Sequence, residues 1–265
     1  MADKVVGEAA EIIGLLRQAP TAFAGLPDAC RPADEATAYE IQDALHQWLT
    51  GRAYGRRVGY KIGCTTPVMQ RFMDIDHPCA GGIFEARRFD SPAKIERATL
   101  HGPGIECEIA VELGSDLDGR GQIVGHEEAS AAVAALYPAI EVVDNRYRDI
   151  LTIGTPTLIA DDFCQSAVVL GRRVQDWHGR DLEAVTGRTL VNGEAVGEGC
   201  GADVLGHPLN ALVWLAGNLA DRNRVLEAGE IVLLGSLVQC QWLKPGDTAA
   251  IEIEGLGGAS VQFIS

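Results

Sequence analysis

The sequence predicts an α+β fold: a compact, multi-sheet mixed β core behind a helical N-terminal extension. Apolar residues recur at helical spacing between Ile12 and Leu49, and from Val58 short β-like runs bounded by Gly and Pro take over. Those runs do not alternate regularly with helices, which argues against a doubly wound parallel sheet. The expected organisation is a helical extension over residues 1–55 and a core over 56–265 that forms one structural unit. With 265 residues, 47% hydrophobic and 22% charged, the chain can bury a sizeable core rather than stay disordered.

Taken in order, Ile12, Ile13, Leu15 and Leu16 fall on one side of an early helix, and a stretch bearing Pro and Gly over 19–32 interrupts it. A second helix is expected over 35–49, with Ala38, Ile41, Leu45 and Leu49 on one face. Residues 58–63, 105–113 and 139–143 read as strands, and the Ala-rich run 127–137 as a helix. Residues 189–196 form a hairpin, because Asn192-Gly193 suits a tight type I′ turn. Gly197-Glu198-Gly199-Cys200-Gly201 has the wrong glycine spacing for a nucleotide loop and no Lys-Ser/Thr, so it reads as a turn. Pro208 fits the first turn of a helix running through Trp214 to about Asp221, and strands are expected at 231–234, 248–254 and 260–264.

The formal net charge is −15, a field that repels phosphate backbones and anionic head groups, so neither nucleic acid nor a membrane is an expected partner. An anionic substrate would need a local positive centre, which a bound metal ion supplies. No apolar run reaches the ~20 residues of a bilayer span. Met1-Ala2-Asp3-Lys4 lacks the basic-then-apolar order of a secretion signal. The seven cysteines are scattered without a C-x-x-C pair, which fits a reducing cytoplasm better than a disulfide framework.

Three segments carry unusual charges. In Ile105-Glu106-Cys107-Glu108-Ile109, Glu106 and Glu108 are two apart on a strand and project from one face, where they repel unless a proton or cation lies between them. Glu112 is in phase with them, as on a solvated charged face. Glu141 stands alone in the β-branched run Pro138-Ala139-Ile140-Glu141-Val142-Val143, so it needs a partner, either Arg146 or a metal. Three carboxylates from two strands make an oxygen cage for a hard cation such as Mg²⁺ or Mn²⁺. Lys61, between Gly59 and Gly63, either snorkels to the surface or is desolvated as a proton carrier or anion anchor.

These segments, in this order, resemble the 2-keto-4-pentenoate hydratase branch of the fumarylacetoacetate hydrolase superfamily, which includes 2-oxohept-3-enedioate hydratase and 4-oxalocrotonate decarboxylase. The likeness runs through Gly59-Tyr60-Lys61-Ile62-Gly63, Glu106-x-Glu108, the 138–146 segment, Ile159-Ala160-Asp161, Val191-Asn192-Gly193-Glu194, Gly206-His207-Pro208 and Gly235-Ser236. It implies a core of that superfamily's type, with one Mg²⁺ (or Mn²⁺) on Glu106, Glu108 and Glu141 chelating a small 2-oxo acid. Lys61 is then the proton carrier or electrostatic partner of a developing enolate, and Asp161, Gln165, Gly235 and Ser236 contact the substrate. The implied protein is a cytoplasmic homo-oligomer, at least a dimer. Its implied activity is a metal-dependent hydro-lyase of aromatic-compound catabolism acting on a 2-oxo-alkenoate or 2-hydroxy-dienoate. A decarboxylase or C–C hydrolase of a related acid, or a non-catalytic partner subunit, are the alternatives.

Three positions depart from the branch pattern. Pro78-Cys79-Ala80-Gly81 places a thiol where an acidic residue is usual, and His77 beside it is either a replacement acid–base group or a solvated loop residue. Asp162-Phe163-Cys164-Gln165 replaces a run of small polar residues, and Leu234 replaces a Thr.

Overall fold

A computed structural model describes residues 2–18 and 21–264 of the chain. Helix α1 (Ala2–Leu16) leads, and Ala19 and Pro20, which open the expected interruption, lie outside the described residues. Helix α2 (Glu35–Thr50) starts where Asp34 accepts a hydrogen bond from the Thr37 amide, and it buries Ala38, Ile41, Leu45 and Leu49 as its periodicity predicts. In α1 the expectation fails at Leu15, which is 53% exposed. The buried stripe is Ala9, Ala10, Ile13 and Leu16, spaced for a narrow contact with α2, and Leu15 lies outside it.

The chain then enters β1 (Arg57–Gly63), α3 (Pro67–Met73), β2 (Cys79–Phe84), β3 (Arg88–Asp90), β4 (Ala93–Glu96) and β5 (Pro103–Leu113). Next come α4 (His126–Ala132), β6 (Val133–Asp144), α5 (Thr155–Ala160) and β7 (Gln165–Leu170). The remainder is β8 (Thr186–Val191), β9 (Glu194–Cys200), α6 (Pro208–Asp221), β10 (Ile231–Trp242), β11 (Thr248–Ile253) and β12 (Gly257–Ile264). The expected hairpin is present, with Asn192 and Gly193 both at positive φ (52° and 85°).

Two expectations are corrected. The helix expected over 127–137 ends at Ala132, and Val133 to Tyr137 belong to β6. There Ala135, Leu136 and Tyr137 pair with Glu112, Val111 and Ala110, so ladder bonds and burial outweigh the helix preference of alanine. The glycine-rich segment expected to be a turn is the end of β9 and the start of a 3₁₀ turn. Its glycines allow close approach: a Cβ on Gly199 would overlap the Leu237 carbonyl, and one on Gly201 the Leu182 carbonyl.

The strands form a seven-stranded mixed sheet, ordered β2-β1-β10-β5-β6-β7-β3, and a five-stranded sheet, ordered β4-β12-β11-β8-β9. In the larger sheet β2 and β7 come into contact from distant places in that order, so the sheet rolls toward closure. The smaller sheet packs outside β5, β6 and β10, while α2 packs on α1, α5 and β2. Apolar residues of α1 and α2 join those of both sheets in one core. Inside the roll a second, smaller cluster contains Ala110, Ala139, Val168, Ile231 and Leu233.

Candidate metal centre

The inner face of the rolled sheet follows from strand parity. On β5, Glu106 and Glu108 are in phase with Ala110; on β6, Glu141 is in phase with Ala139 and pairs across the ladder with Glu106. Lys61 on β1 pairs with Leu233 of β10 and Gly81 of β2. These residues therefore stand on the same surface as the small apolar cluster, which forms the floor beneath them.

Carboxylate oxygens of Glu106, Glu108 and Glu141 lie within 4.8 Å of one another. Glu108 and Glu141 are fully buried and Glu106 is partly exposed, so Glu106 faces the open side. Glu108 Oε2 accepts the Gly235 amide at 2.8 Å, Glu108 Oε1 and Glu141 Oε2 have no partner, and Glu141 Oε1 has only the Lys61 ammonium beside it. Buried carboxylate oxygens without donors cost several kcal/mol, a cost that a bound cation would offset. Three oxygen donors with no His or Cys among them suit a hard divalent ion, so the donor set fits Mg²⁺.

Lys61 supplies the first positive charge. Its ammonium is only 2% exposed and lies 3.1 Å from Glu141 Oε1, donating to the Phe163 carbonyl at 3.2 Å. The lysine is desolvated rather than snorkelling. Burial alone would lower its pKa, but Glu141, Glu106 and Glu108 more than offset that and hold it above its ordinary value. Removal from water, followed by Glu141, pushes Glu106 up to about 7; burial and both other glutamates push Glu108 up as well.

The approach of Lys61 to Glu141 depends on curvature. β1 and β6 are separated by β10 and β5, which on a flat sheet is about 14 Å (three spacings of ~4.8 Å). The roll and the register shifts in β10 between Leu233, Ser236 and Val238 bring the two side chains together. Gly235 sits at that irregularity with φ of 110°, and a Cβ there would overlap the Thr65 side chain.

The other expected site residues are dispersed around this centre. Cys79 is fully buried at the start of β2; hydrogen bonding to Cys64 and then burial hold its thiol well above the usual range, so it stays neutral. His77 is partly exposed, with Nε2 3.3 Å from Glu35 and Nδ1 2.9 Å from the Pro78 carbonyl, so it faces α2. Gln165 is buried, on the face of Val143 and Glu141, and its amide Nε2 has no acceptor. Ser236 Oγ donates to the Val238 carbonyl at 2.6 Å. Asp161 is held inside the protein by Arg17 (2.7 Å), Arg146 (2.8 Å) and Tyr147 (3.1 Å). Arg146 is thus spent on Asp161, and Glu141 has Lys61 instead. Glu112 stands apart, paired with Arg173 at 2.7 Å.

Phe163 and Cys240 were not visible as site residues in the sequence. The Cys240 thiol lies against Glu106, and burial, then Glu106 and Glu141, raise its pKa. The irregular register of β10 shifts its face, so simple alternation does not reveal it.

The chain is similar to known proteins over most of its length. Residues 89–263 match the family described as fumarylacetoacetate (FAA) hydrolase C-terminal. A 2-keto-4-pentenoate hydratase of Paraburkholderia xenovorans (strain LB400) is 36% identical over 259 residues, 97% of this chain and 94% of that protein. A 4-oxalocrotonate decarboxylase of Pseudomonas putida is 31% identical over 229 residues, 86% of this chain and 85% of that protein. The solved structure of 4-oxalocrotonate decarboxylase from Pseudomonas putida G7, complexed with magnesium and adipate, superposes with a TM-score of 0.92 at 27% identity. That match covers 100% of this chain and 98% of the other.

Proposed function

The chain belongs to the fumarylacetoacetate hydrolase family, and from that premise we propose that it is a divalent-metal-dependent lyase, a hydratase of a 2-oxo-alkenoate or its 2-hydroxy-dienoate form. The observation that carries this reading is the cluster of Glu106, Glu108 and Glu141, the last two buried with oxygens that no hydrogen bond satisfies, beside the Lys61 ammonium. A Mg²⁺ or Mn²⁺ ion held there supplies Lewis-acid polarisation of a 2-oxo acid.

The chain's own residues do the rest. The Gly235 amide fixes Glu108 Oε2 and leaves Oε1 free for the ion. Lys61 places a fixed charge and N–H donors where negative charge grows on substrate oxygen, which stabilises the transition state more than the ground state. Gln165, with its unpaired buried amide, is the proposed donor to a substrate oxygen, and the Gly235-Ser236 irregularity shapes the adjoining wall. Ala110, Ala139 and Leu233 keep water from the floor. Cys79, at the start of β2, is a neutral thiol unsuited to act as a base, and His77 before it is turned to Glu35 of α2.

A decarboxylase is the second reading, favoured by that neutral Cys79 thiol, since loss of CO₂ needs fewer proton transfers than hydration. We also infer a homo-oligomer working in aromatic-compound breakdown. The exposed apolar side chains of α3, Val68, Met69 and Phe72, support a covered surface. All seven cysteines are free, and among the described residues no helix is long and apolar enough to cross a membrane.

Turnover of a panel of 2-oxo acids with Mg²⁺, followed by ultraviolet loss of the dienol and by CO₂ release, separates the two reactions. Calorimetric titration of Mg²⁺ into wild type and Glu106→Gln, Glu108→Gln and Glu141→Gln tests the centre itself. Each variant is expected to lose Mg²⁺ binding; unchanged affinity in any of them removes that residue from the site.

A further inference from the structure

Asp162, Phe163 and Cys164 are three successive non-glycine residues at left-handed φ, 49°, 52° and 65°. A side chain in that region crowds its own backbone, so such a run persists only where its surroundings over-determine it. Here the helical extension supplies the surroundings. Arg17, just after α1, donates to Asp161 Oδ1 at 2.7 Å and to Asp162 Oδ2 at 2.9 Å. His46 on α2 places Nε2 2.7 Å from Asp162 Oδ1, which also accepts the Gly82 amide at 2.8 Å. Gln42 on α2 ties the Ala80 and Ile159 carbonyls, at 2.8 and 2.7 Å, on either side of the turn. All of these side chains are buried.

A cluster of buried ions is a poor source of stability compared with apolar packing, so stability alone does not account for it. What the turn presents is a carbonyl. Phe163 offers its oxygen to Lys61 Nζ at 3.2 Å, and its ring centroid lies 5.6 Å from the same nitrogen. Lys61 is therefore held between two fixed acceptors, Glu141 and Phe163.

We propose that Arg17, His46 and Asp162 are positioning residues for Lys61: they clamp the left-handed turn from the helical extension, aim the Phe163 carbonyl at the Lys61 ammonium, and so set its place beside Glu141. The inference rests on the reading of Lys61 as the charge that faces the substrate.

The test uses His46→Leu, His46→Gln and Asp162→Asn, each alone and combined with Lys61→Met. The readouts are kcat, KM, Mg²⁺ titration calorimetry, and the ¹⁵N-edited NMR signal of the Lys61 ammonium in metal-free protein. His46→Leu and Asp162→Asn are expected to lower kcat on the order of tenfold to 10²-fold, the scale of a displaced catalytic group. KM and Mg²⁺ affinity are expected to stay within about twofold, since neither residue meets metal or substrate. The ammonium signal is expected to shift in both, and His46→Gln, which keeps an N–H for Asp162, to recover most of the loss. In the Lys61→Met background neither change is expected to lower kcat further, because nothing remains to be positioned.

The same fold-loss in both backgrounds, or an unmoved ammonium signal in His46→Leu, overturns the proposal. Should Asp162→Asn fail to fold, His46→Leu decides alone, as Arg17 and Gly82 still hold the turn. If Lys61→Met itself leaves kcat unchanged, the reading of Lys61 fails and takes this inference with it. If Lys61→Met lowers kcat but the His46 effect is additive, only the positioning fails.

Discussion

At the scale of single residues, the chemistry reduces to one ammonium among three carboxylates. If the Lys61 charge stabilises the developing enolate, Lys61→Met should lower kcat on the order of 10²–10³, as loss of an oxyanion donor does, with Mg²⁺ affinity retained. Steady-state kinetics at saturating Mg²⁺ check this; a kcat within about threefold of wild type would leave the metal acting alone. The same cluster makes the metal-free fold sensitive to pH. Glu106 is raised from an ordinary 4.5 to about 7 by removal from water and then by Glu141, and Glu108 moves the same way. Between those values the folded state binds a proton that the unfolded chain has released, so stability falls as pH rises from about 4.5 to 7. Asp162 contributes with the opposite sign, since burial, which would raise it, is outweighed by His46 and Arg17; its lowered pKa puts that contribution below pH 4. Metal-free protein should therefore show a Tm that drops between pH 5 and pH 7, and Mg²⁺ should remove most of the drop by replacing the proton. A metal-free Tm that climbs over that interval contradicts the assignment.

At the scale of elements, β10 decides the geometry of the centre. Its irregularity at Gly235 carries the amide that fixes Glu108 and leaves space for Thr65. Gly235→Ala would need φ near 110° with a Cβ inside the Thr65 side chain. The expected outcome is a lower Tm together with weaker Mg²⁺ binding, measured by thermal scan and calorimetry on the same sample. A variant with wild-type values of both would show that β10 relaxes without disturbing Glu108. The helices α1 and α2 matter in another way. We propose that residues 1–55 are an extension of one structural unit with 56–265, because their apolar faces join the common core and Arg17, Gln42 and His46 reach the turn that meets Lys61.

At the scale of the whole molecule, the net charge of −15 and the exposed apolar face of α3 pull in opposite directions. Self-repulsion favours separate chains, while uncovered Val68 and Phe72 favour association, and apolar burial is less sensitive to salt than charge repulsion. A homo-oligomer should therefore persist at low ionic strength and tighten as salt is added. Light scattering at micromolar concentration over a salt series checks this, and a monomer mass throughout defeats it.

The sequence by itself determined whatever depends on near neighbours along the chain. Residues 35–49 carried their helix in their periodicity, Asn192-Gly193 carried its turn in the conformations those residues tolerate, and Glu106 and Glu108 were placed on one face by the two-residue period of a strand. The resemblance joined Glu141 and Lys61 to them, but their meeting was decided only by the tertiary structure. Lys61 reaches Glu141 across two intervening strands because the sheet rolls and β10 is irregular, and neither is a local property. Tertiary pairing likewise took residues 133–137 from helix to strand, since ladder partners on β5 are remote in sequence. It also turned Asp161 inward, drew Phe163 to the Lys61 ammonium and set Cys240 against Glu106. Which residues face one another across a curved sheet depends on the summed curvature of every strand between them, and no window of sequence contains that sum.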